Sequence, residues 1–346
     1  MTARPAPDRF LVARLDSDGD VLLAGPAVRA VAAGRNDRPA HVTLLCGPRS
    51  RQAAALLPGV DEVLVWRCPW IDPEPDPVTR LSVLPVIGGV KRAAVDEALV
   101  LTSFHQSALP TALVLRLAGV RRITAISEDY PGSLLDIRHR VTKNLPEAER
   151  ALSVATAAGF ALPRDDDGRL AVRTPPDVSA LVGRTPFVVV HPGASAPARA
   201  WAPARCAEAV AALATAGHRV VVTGSPDERS LTAYVAGTTG LDLGGRTTLA
   251  QLSGVLAQAA AVVVGNTGPA HLAAAIGTPV VSLFAPVVPA ARWAPYRVPH
   301  VLLGNQQAPC AGTRARVCPV PGHPCLTSVT AAEVVEAVAS FAEVRA

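Results

Sequence analysis

Short apolar runs alternate with amphipathic stretches along most of the chain. Arg9–Leu15 (RFLVARL) is apolar enough for a buried strand. Asp16–Asp20 turns the chain, and Val21, Leu22, Val28 and Val31 recur at helical spacing over Val21–Ala33, closed by Gly34. Pro26 should kink that helix or tighten its early turns. His41–Cys46, Glu62–Trp66, Ala98–Thr102 and Arg122–Ile126 predict further strands, with a helix over Leu109–Leu117. Between them, Arg67–Pro85 holds Pro69, Pro73, Pro75, Pro77 and Pro85 and predicts an irregular surface loop.

The pattern breaks at Pro163–Pro186, where Asp165-Asp166-Asp167-Gly168 and Pro175-Pro176 read as a linker holding a weak strand at Leu170–Val172. It then resumes more cleanly. Strands are predicted at Phe187–His191, Arg219–Thr223, Leu241–Leu243, Ala261–Gly265 and Pro279–Phe284. Helices are predicted at Pro203–Ala216, Glu228–Val235, Leu249–Gln258, Pro269–Ile276 and Ala331–Val344. Short apolar strands alternating with helices imply βαβ units and parallel sheets. The chain therefore reads as α/β, with two doubly wound domains facing each other: residues 1–175, residues 186–328, and a last helix over 329–346.

Composition sharpens this only in part. The chain has 346 residues, 49% hydrophobic and 18% charged, which is enough for large buried cores. Lys plus Arg exceeds Asp plus Glu by 33 to 28, a net +5 with no basic block, so nucleic acid is not an expected partner. The lysines are Lys91 and Lys143. Apolar runs fall short of the roughly 20 residues of a membrane span, and the first 20 residues do not read as a signal peptide. A cytoplasmic location is expected, with free thiols. Of six cysteines, Cys310, Cys318 and Cys325 cluster with His323, but their spacing lacks the tight pairs of structural zinc sites. A loop of thiols or one disulfide is the expectation there.

In open parallel sheets, ligands bind beyond the carboxyl ends of the strands. In the second half those loops are Pro192–Arg199, Gly224–Glu228, Gly244–Thr248, Asn266–Ala270 and Ala285–Arg292, rich in Gly, Ser, Thr and Asn. Such loops let backbone N–H groups approach phosphate oxygens at helix N-termini. At Gly265–His271, Pro269 suits a helix start. The Thr267 and Gly268 amides would face an anion, with His271 one turn further on; an ordinary cap with a half-buried histidine is the plainer reading. Arg199 suits a phosphate or a solvated surface, and Trp201 packs at the next helix start. Glu228 suits dipole complementation or a ribose diol. In the first half, Asp16, Asp18 and Asp20 crowd one loop, where one would cap the helix and another could act as a general base.

Read in order, Leu15–Leu22 (LDSDGDVL), His191–Trp201, Thr223–Glu228 and Gly265–Pro279 resemble glycosyltransferase family 9, the ADP-heptose heptosyltransferases of lipopolysaccharide core assembly. The resemblance runs from about residue 9 to residue 345. It implies a GT-B fold, two Rossmann-like domains around a central cleft, with the last helix crossing back to the first domain. It also implies an inverting transfer of a sugar, heptose in the first place, from an ADP-activated donor, without metal or cofactor.

Residue by residue, the resemblance makes Asp20 the catalytic base, with Asp18 and Gly19 in its loop. Arg199, standing where the family usually has Lys, would bind the diphosphate. Glu228 would accept the adenosine ribose hydroxyls. Thr267 and Gly268 would donate to the diphosphate beside His271, and Ser195 belongs to the same donor set. Asn266 replaces the family's usual Asp. The expected partners are a nucleotide-sugar donor and a glycan, lipid-linked or natural-product acceptor, reached from solution or peripherally at the inner face of the membrane. Alternative readings are a GT-B-shaped nucleotide-sugar epimerase or hydrolase, and a non-catalytic nucleotide-sugar binder motivated by Asn266.

Overall fold

The computed structural model describes residues 8–343 except 36, 37, 39, 143, 184 and 185. The chain divides into two compact units, residues 1–173 and 174–346, with the division inside the expected linker.

Unit 1 runs β1 (Asp8–Arg14), α1 (Asp18–Leu23), α2 (Gly25–Ala32), β2 (Ala40–Cys46), α3 (Arg51–Leu56), β3 (Glu62–Val65) and α4 (Arg80–Ala93), then β4 (Glu97–Val100), α5 (Leu109–Leu117), β5 (Arg122–Ile126), β6 (Ile137–His139) and α6 (Glu147–Ala157). Its six strands are parallel, in the order β3-β2-β1-β4-β5-β6. Central strands of this kind are covered on both faces, so β4 (EALV) is buried at every position.

Unit 2 runs α7 (Ser179–Val182), β7 (Val188–His191), α8 (Pro203–Thr215), β8 (Val220–Val222), α9 (Arg229–Ala236), β9 (Leu241–Asp242) and α10 (Leu249–Gln258), then β10 (Ala261–Gly265), α11 (Gly268–Ile276), β11 (Val280–Leu283), α12 (Ala290–Trp293), β12 (His300–Leu303), α13 (Pro324–Thr327) and α14 (Ala331–Glu343). Its order, β12-β11-β10-β7-β8-β9, is the unit 1 topology repeated. In each sheet the winding reverses between the first and fourth strands, β1/β4 and β7/β10, and the crevice beyond that pair is where doubly wound sheets bind ligands.

Three expectations need correction. The helix expected over Val21–Ala33 is two helices, broken at Ala24, because Pro26 opens α2 rather than bending one long helix. Leu170–Val172 is not a strand; the adjoining Arg173 N–H donates to the Leu56 carbonyl at 2.7 Å. The Arg67–Pro85 stretch is a loop only to Thr79, where a capping box of Thr79 and Ser82 starts α4. Pro85 sits inside that helix, while Val83, Val86, Ile87 and Val90 supply its inward face. The last helix packs against α8 and strands β10 to β12. Its expected end, Val344, lies outside the described residues.

Candidate functional site

In unit 1 the site grows from the end of β1. After Asp8 and Arg9 the strand is apolar until its last residue, Arg14, whose side chain is 2% exposed at the β1/β4 reversal. A buried guanidinium must be paired and hydrogen-bonded. Its Nε lies 3.0 Å from Asp16 Oδ2 and its Nη2 3.0 Å from Asp20 Oδ1. Nη2 also donates to Ser103 Oγ at 2.8 Å and lies 3.8 Å from Glu147 Oε2. Burial alone would lower the Arg14 pKa, but Asp16, Asp20 and Glu147 outweigh it and hold the group above its ordinary value. The loop after β4 closes the cluster, with Gln106 Nε2 donating to Asp16 Oδ1. From α6, Glu147 also lies 3.9 Å from Arg150, which donates to the Thr102 carbonyl.

The three loop aspartates have separate environments. Ser17, not an aspartate, takes the N-cap position of α1. Asp16 is 9% exposed, and burial pushes its carboxyl up against the pull of Arg14. Asp18 is pushed up to about 6 by burial, opposed by the Ala53 amide. Asp20, in the first turn of α1, is 18% exposed. Its Oδ1 faces Arg14 and its Oδ2 accepts from Ser17 Oγ at 2.8 Å, so the carboxylate is oriented and still reaches solvent. Gly19 between them is buried.

In unit 2 the corresponding loops are held by backbone. Glu228 Oε2 accepts from the Ser225 N–H at 2.8 Å, which is a capping contact. The same carboxylate lies flat against Gly193: a Cβ there would meet Oε1 at 2.0 Å and Oε2 at 2.5 Å. The capping contact of Glu228 is thus present, and the same carboxylate stands beside the β7 loop at Gly193. Behind it, His191 pairs through Nδ1 with Thr223 Oγ1 at 2.9 Å. Burial pushes His191 below its ordinary pKa although Glu228 pulls the other way, which favours the neutral ring.

The β7 and β10 loops meet where a Gly265 Cβ would stand 2.9 Å from the Arg199 carbonyl. Arg199 is half-buried there rather than a solvated surface residue. Trp201 packs as expected, 4% exposed, with Nε1 donating to the Leu326 carbonyl at 3.0 Å. Ser195 is exposed, and its carbonyl accepts from Arg316 at 3.3 Å. Gly268 heads α11 and His271 is 5% exposed one turn along.

Two donor-set residues differ from expectation. The Thr267 N–H turns back to the Gly265 carbonyl at 2.8 Å, so of the two expected amides the Thr267 one is engaged within its own turn, while Gly268 opens α11. Asn266 is 5% exposed and clamps the backbone of one residue: its Nδ2 donates to the Ala285 carbonyl at 3.2 Å, and its Oδ1 lies 3.4 Å from the Ala285 N–H. The amide suits this place because it carries a donor and an acceptor side by side, which a carboxylate does not.

Sequence reasoning missed Arg14, Ser103, Gln106 and Glu147. One signal was present: an arginine inside an apolar strand, just before three acids. The cysteines are thiols, with Cys310 and Cys325 in the unit 2 core and Cys318 at its edge. His323 faces the Ala198 carbonyl at 3.1 Å. Among the described residues, no group of three or more His, Cys, Asp or Glu side chains is placed to hold a metal ion. Likewise, no described helix is long and apolar enough to cross a membrane.

Two doubly wound parallel sheets of one topology, with a carboxylate cluster at one reversal point and glycine-lined backbone loops at the other, define an α/β protein of the GT-B class. The chain belongs to glycosyltransferase family 9 (heptosyltransferase), whose family model matches residues 88–323. It is 31% identical over 104 residues to lipopolysaccharide heptosyltransferase 3 of Escherichia coli. That match covers 28% of this chain and 31% of the relative, so it spans about a third of the relative's length. The fold is similar to E. coli ADP-heptose lps heptosyltransferase II, with a TM-score of 0.74 at 19% identity, over 98% of this chain and 100% of that one. It is also similar to E. coli heptosyltransferase WaaC with ADP, with a TM-score of 0.68 at 19% identity, over 97% and 98% of the two chains.

Proposed function

We propose that the protein transfers a sugar from a nucleotide-diphosphate donor to an acceptor hydroxyl, with inversion and with Asp20 as general base. Family membership supports the transfer. The observation that carries Asp20 is its double anchoring at the β1/β4 reversal, on Arg14 and Ser17, with part of the carboxylate open to solvent. Asp16 and Asp18 are less suited, the first tied to Arg14 and Gln106 and the second pushed toward neutrality. In the step, the acceptor oxygen forms a bond to the anomeric carbon and its proton passes to Asp20. The bond from that carbon to the diphosphate breaks, and its electron pair leaves with the nucleotide.

The donor end rests on unit 2. Glu228 would accept the ribose hydroxyls over Gly193, where the close approach leaves no room for a side chain. Arg199, the Gly268 amide and the positive end of α11 would offset the charge gathering on the leaving diphosphate, so the reading needs no metal. Ser195 and His271 border that position. The solved relatives named for ADP-heptose and holding ADP make ADP-heptose the first donor to test. A glycan, a lipid-linked sugar or a natural-product hydroxyl is the acceptor class.

The test has two parts. Melting curves with ADP, UDP, GDP and dTDP, in chelator, should show ADP stabilising the fold; a ligand at 100 times its Kd contributes about 2.7 kcal/mol. Asp20→Asn should then lower transfer by about 10²–10⁴-fold while ADP affinity stays within a few-fold. Collapse of ADP affinity in that variant would make Asp20 a structural residue and end the mechanism. Saturable sugar binding without turnover would favour the binder reading. A nucleotide other than ADP would overturn the donor assignment.

A further inference from the structure

Residues 304–323, between β12 and α13, hydrogen-bond to the loops that follow β7 and β11. The Gly312 N–H donates to the Pro286 carbonyl at 2.9 Å, and the Arg314 N–H to the Val287 carbonyl at 2.7 Å. On the β7 side the Ala198 N–H donates to the Arg316 carbonyl at 2.9 Å, and Arg316 Nη2 donates to the Ser195 carbonyl at 3.3 Å. His323 Nε2 lies 3.1 Å from the Ala198 carbonyl. A carbonyl only accepts, so this contact places the ring proton on Nε2.

Among the described residues, the non-glycine residues with positive φ are Ala94, Arg297, Arg314 (59°) and His323 (51°), and the last two belong to this segment. Both stand where it grips a neighbouring loop. Left-handed backbone is costly for a residue that carries a Cβ, and it persists where the surroundings hold it. His323 is the N-cap of α13, yet its side chain makes no capping hydrogen bond. It reaches instead to a residue 125 positions earlier. Ala198 is fully buried, so both of its polar groups need partners. Its N–H is held by backbone, which no substitution removes, and its carbonyl by the His323 side chain. Arg199 follows directly, and the Arg199 carbonyl stands 2.9 Å from where a Gly265 Cβ would be. The turn Pro197–Arg199 is thus seated between the end of β10 and His323.

We propose that His323 is a positioning residue for the diphosphate: by holding the Ala198 carbonyl it fixes the turn that presents Arg199. The inference rests on the reading of Arg199 as a diphosphate ligand. The ligand class it serves is a nucleoside diphosphate, recognised here through its phosphates. Glu228, at the ribose end of that reading, is held by the Ser225 N–H and not by residues 304–323. Loss of the His323 contact should therefore separate recognition of the phosphates from recognition of the nucleoside.

The experiment measures ADP and adenosine affinities by calorimetry for the full chain and its variants. His323→Leu should lower ADP affinity by about tenfold, the effect of one hydrogen bond, and leave adenosine affinity unchanged. His323→Gln meets the same left-handed backbone but restores an N–H, and should bind ADP nearly as the parent does. In an Arg199→Gln background His323→Leu should make no further difference, because its effect passes through Arg199. His323→Ala takes the place of the leucine variant if that one does not fold. Equal losses for ADP and adenosine, a glutamine variant that binds like the leucine one, or additive losses in the double variant overturn the proposal. A parent that binds no ADP, or an ADP affinity that Arg199→Gln leaves intact, ends the reading of Arg199 itself and the positioning role with it.

Discussion

The two sheets share one strand order, yet the crevices at their reversal points are built from opposite materials. At β1/β4, charge is held by charge: Arg14 faces Asp16, Asp20 and Glu147 in a buried cluster. At β7/β10, polar side chains are held by backbone: Glu228 by the Ser225 N–H, and Asn266 by both polar groups of Ala285. A cluster of the first kind fixes a carboxylate and its charge state, as proton transfer needs. A crevice of the second kind leaves backbone and small residues close to a ligand, as a diphosphate needs. Under the proposed transfer, one topology would serve two chemistries through the loops after its first and fourth strands.

The largest expected effect comes from breaking the charged cluster. Arg14→Met leaves three carboxylates together without their central cation, and should cost about 3–5 kcal/mol, seen as a fall in denaturation midpoint. The loss should shrink toward low pH as those carboxylates take up protons. Glu228→Gln, the matched change in unit 2, should cost under about 1 kcal/mol because the backbone contact survives. Equal costs for the two would dissolve the contrast.

Asn266→Asp comes next. It sets a carboxylate oxygen against the buried Ala285 carbonyl and should cost about 2 kcal/mol near neutral pH. Protonation of the new carboxyl should restore part of this in acid. A variant as stable as the parent would show that the amide clamp adds little.

Asp18 runs the other way. Its carboxyl is shifted from 3.8 to about 6 because burial penalises the charged form. The folded chain therefore prefers it protonated, so that contribution is complete below the unfolded value near 3.8 and is lost as pH rises toward 6. Asp18→Asn should raise stability by about 2 kcal/mol above pH 6 and change little near pH 4, read from melting curves across that range. A gain that does not depend on pH would refute the burial cause.

Much of this was legible in the sequence because periodicity reports burial. The strand Ala261–Gly265 and helices Leu249–Gln258 and Leu109–Leu117 stand where the pattern placed them. Helix α4 was not legible. Proline density over Arg67–Pro85 outweighed a pattern at Val83, Val86, Ile87 and Val90, and a capping box at Thr79 and Ser82 decided the matter. In the site, residues whose part follows from local sequence, such as Gly268 before Pro269, could be named. Ser103, Gln106 and Glu147 could not, since they reach Arg14 or Asp16 from 87 to 133 residues away and no local spacing records that approach. Asn266 shows the same limit: its partner, Ala285, lies 19 residues on, after the next strand.

The smallest effect sharpens the unit 2 side. Gly193→Ala puts a Cβ 2.0 Å from Glu228 Oε1, so the carboxylate must swing away and its hold on the Ser225 N–H loosens. The Gly193 backbone is not among the positive-φ positions, so alanine is not strained there for its own sake. The cost should then appear in binding more than in folding. ADP affinity, measured by calorimetry, should fall about tenfold, or about 1.4 kcal/mol, while stability changes by less than that. Glu228→Gln should lower affinity in the same direction, because a ribose diol donates better to a carboxylate than to an amide. If Gly193→Ala binds ADP as the parent does, the carboxylate over Gly193 caps its own turn and does not touch the ribose. The backbone-held crevice would then bind through Arg199 and the start of α11 alone.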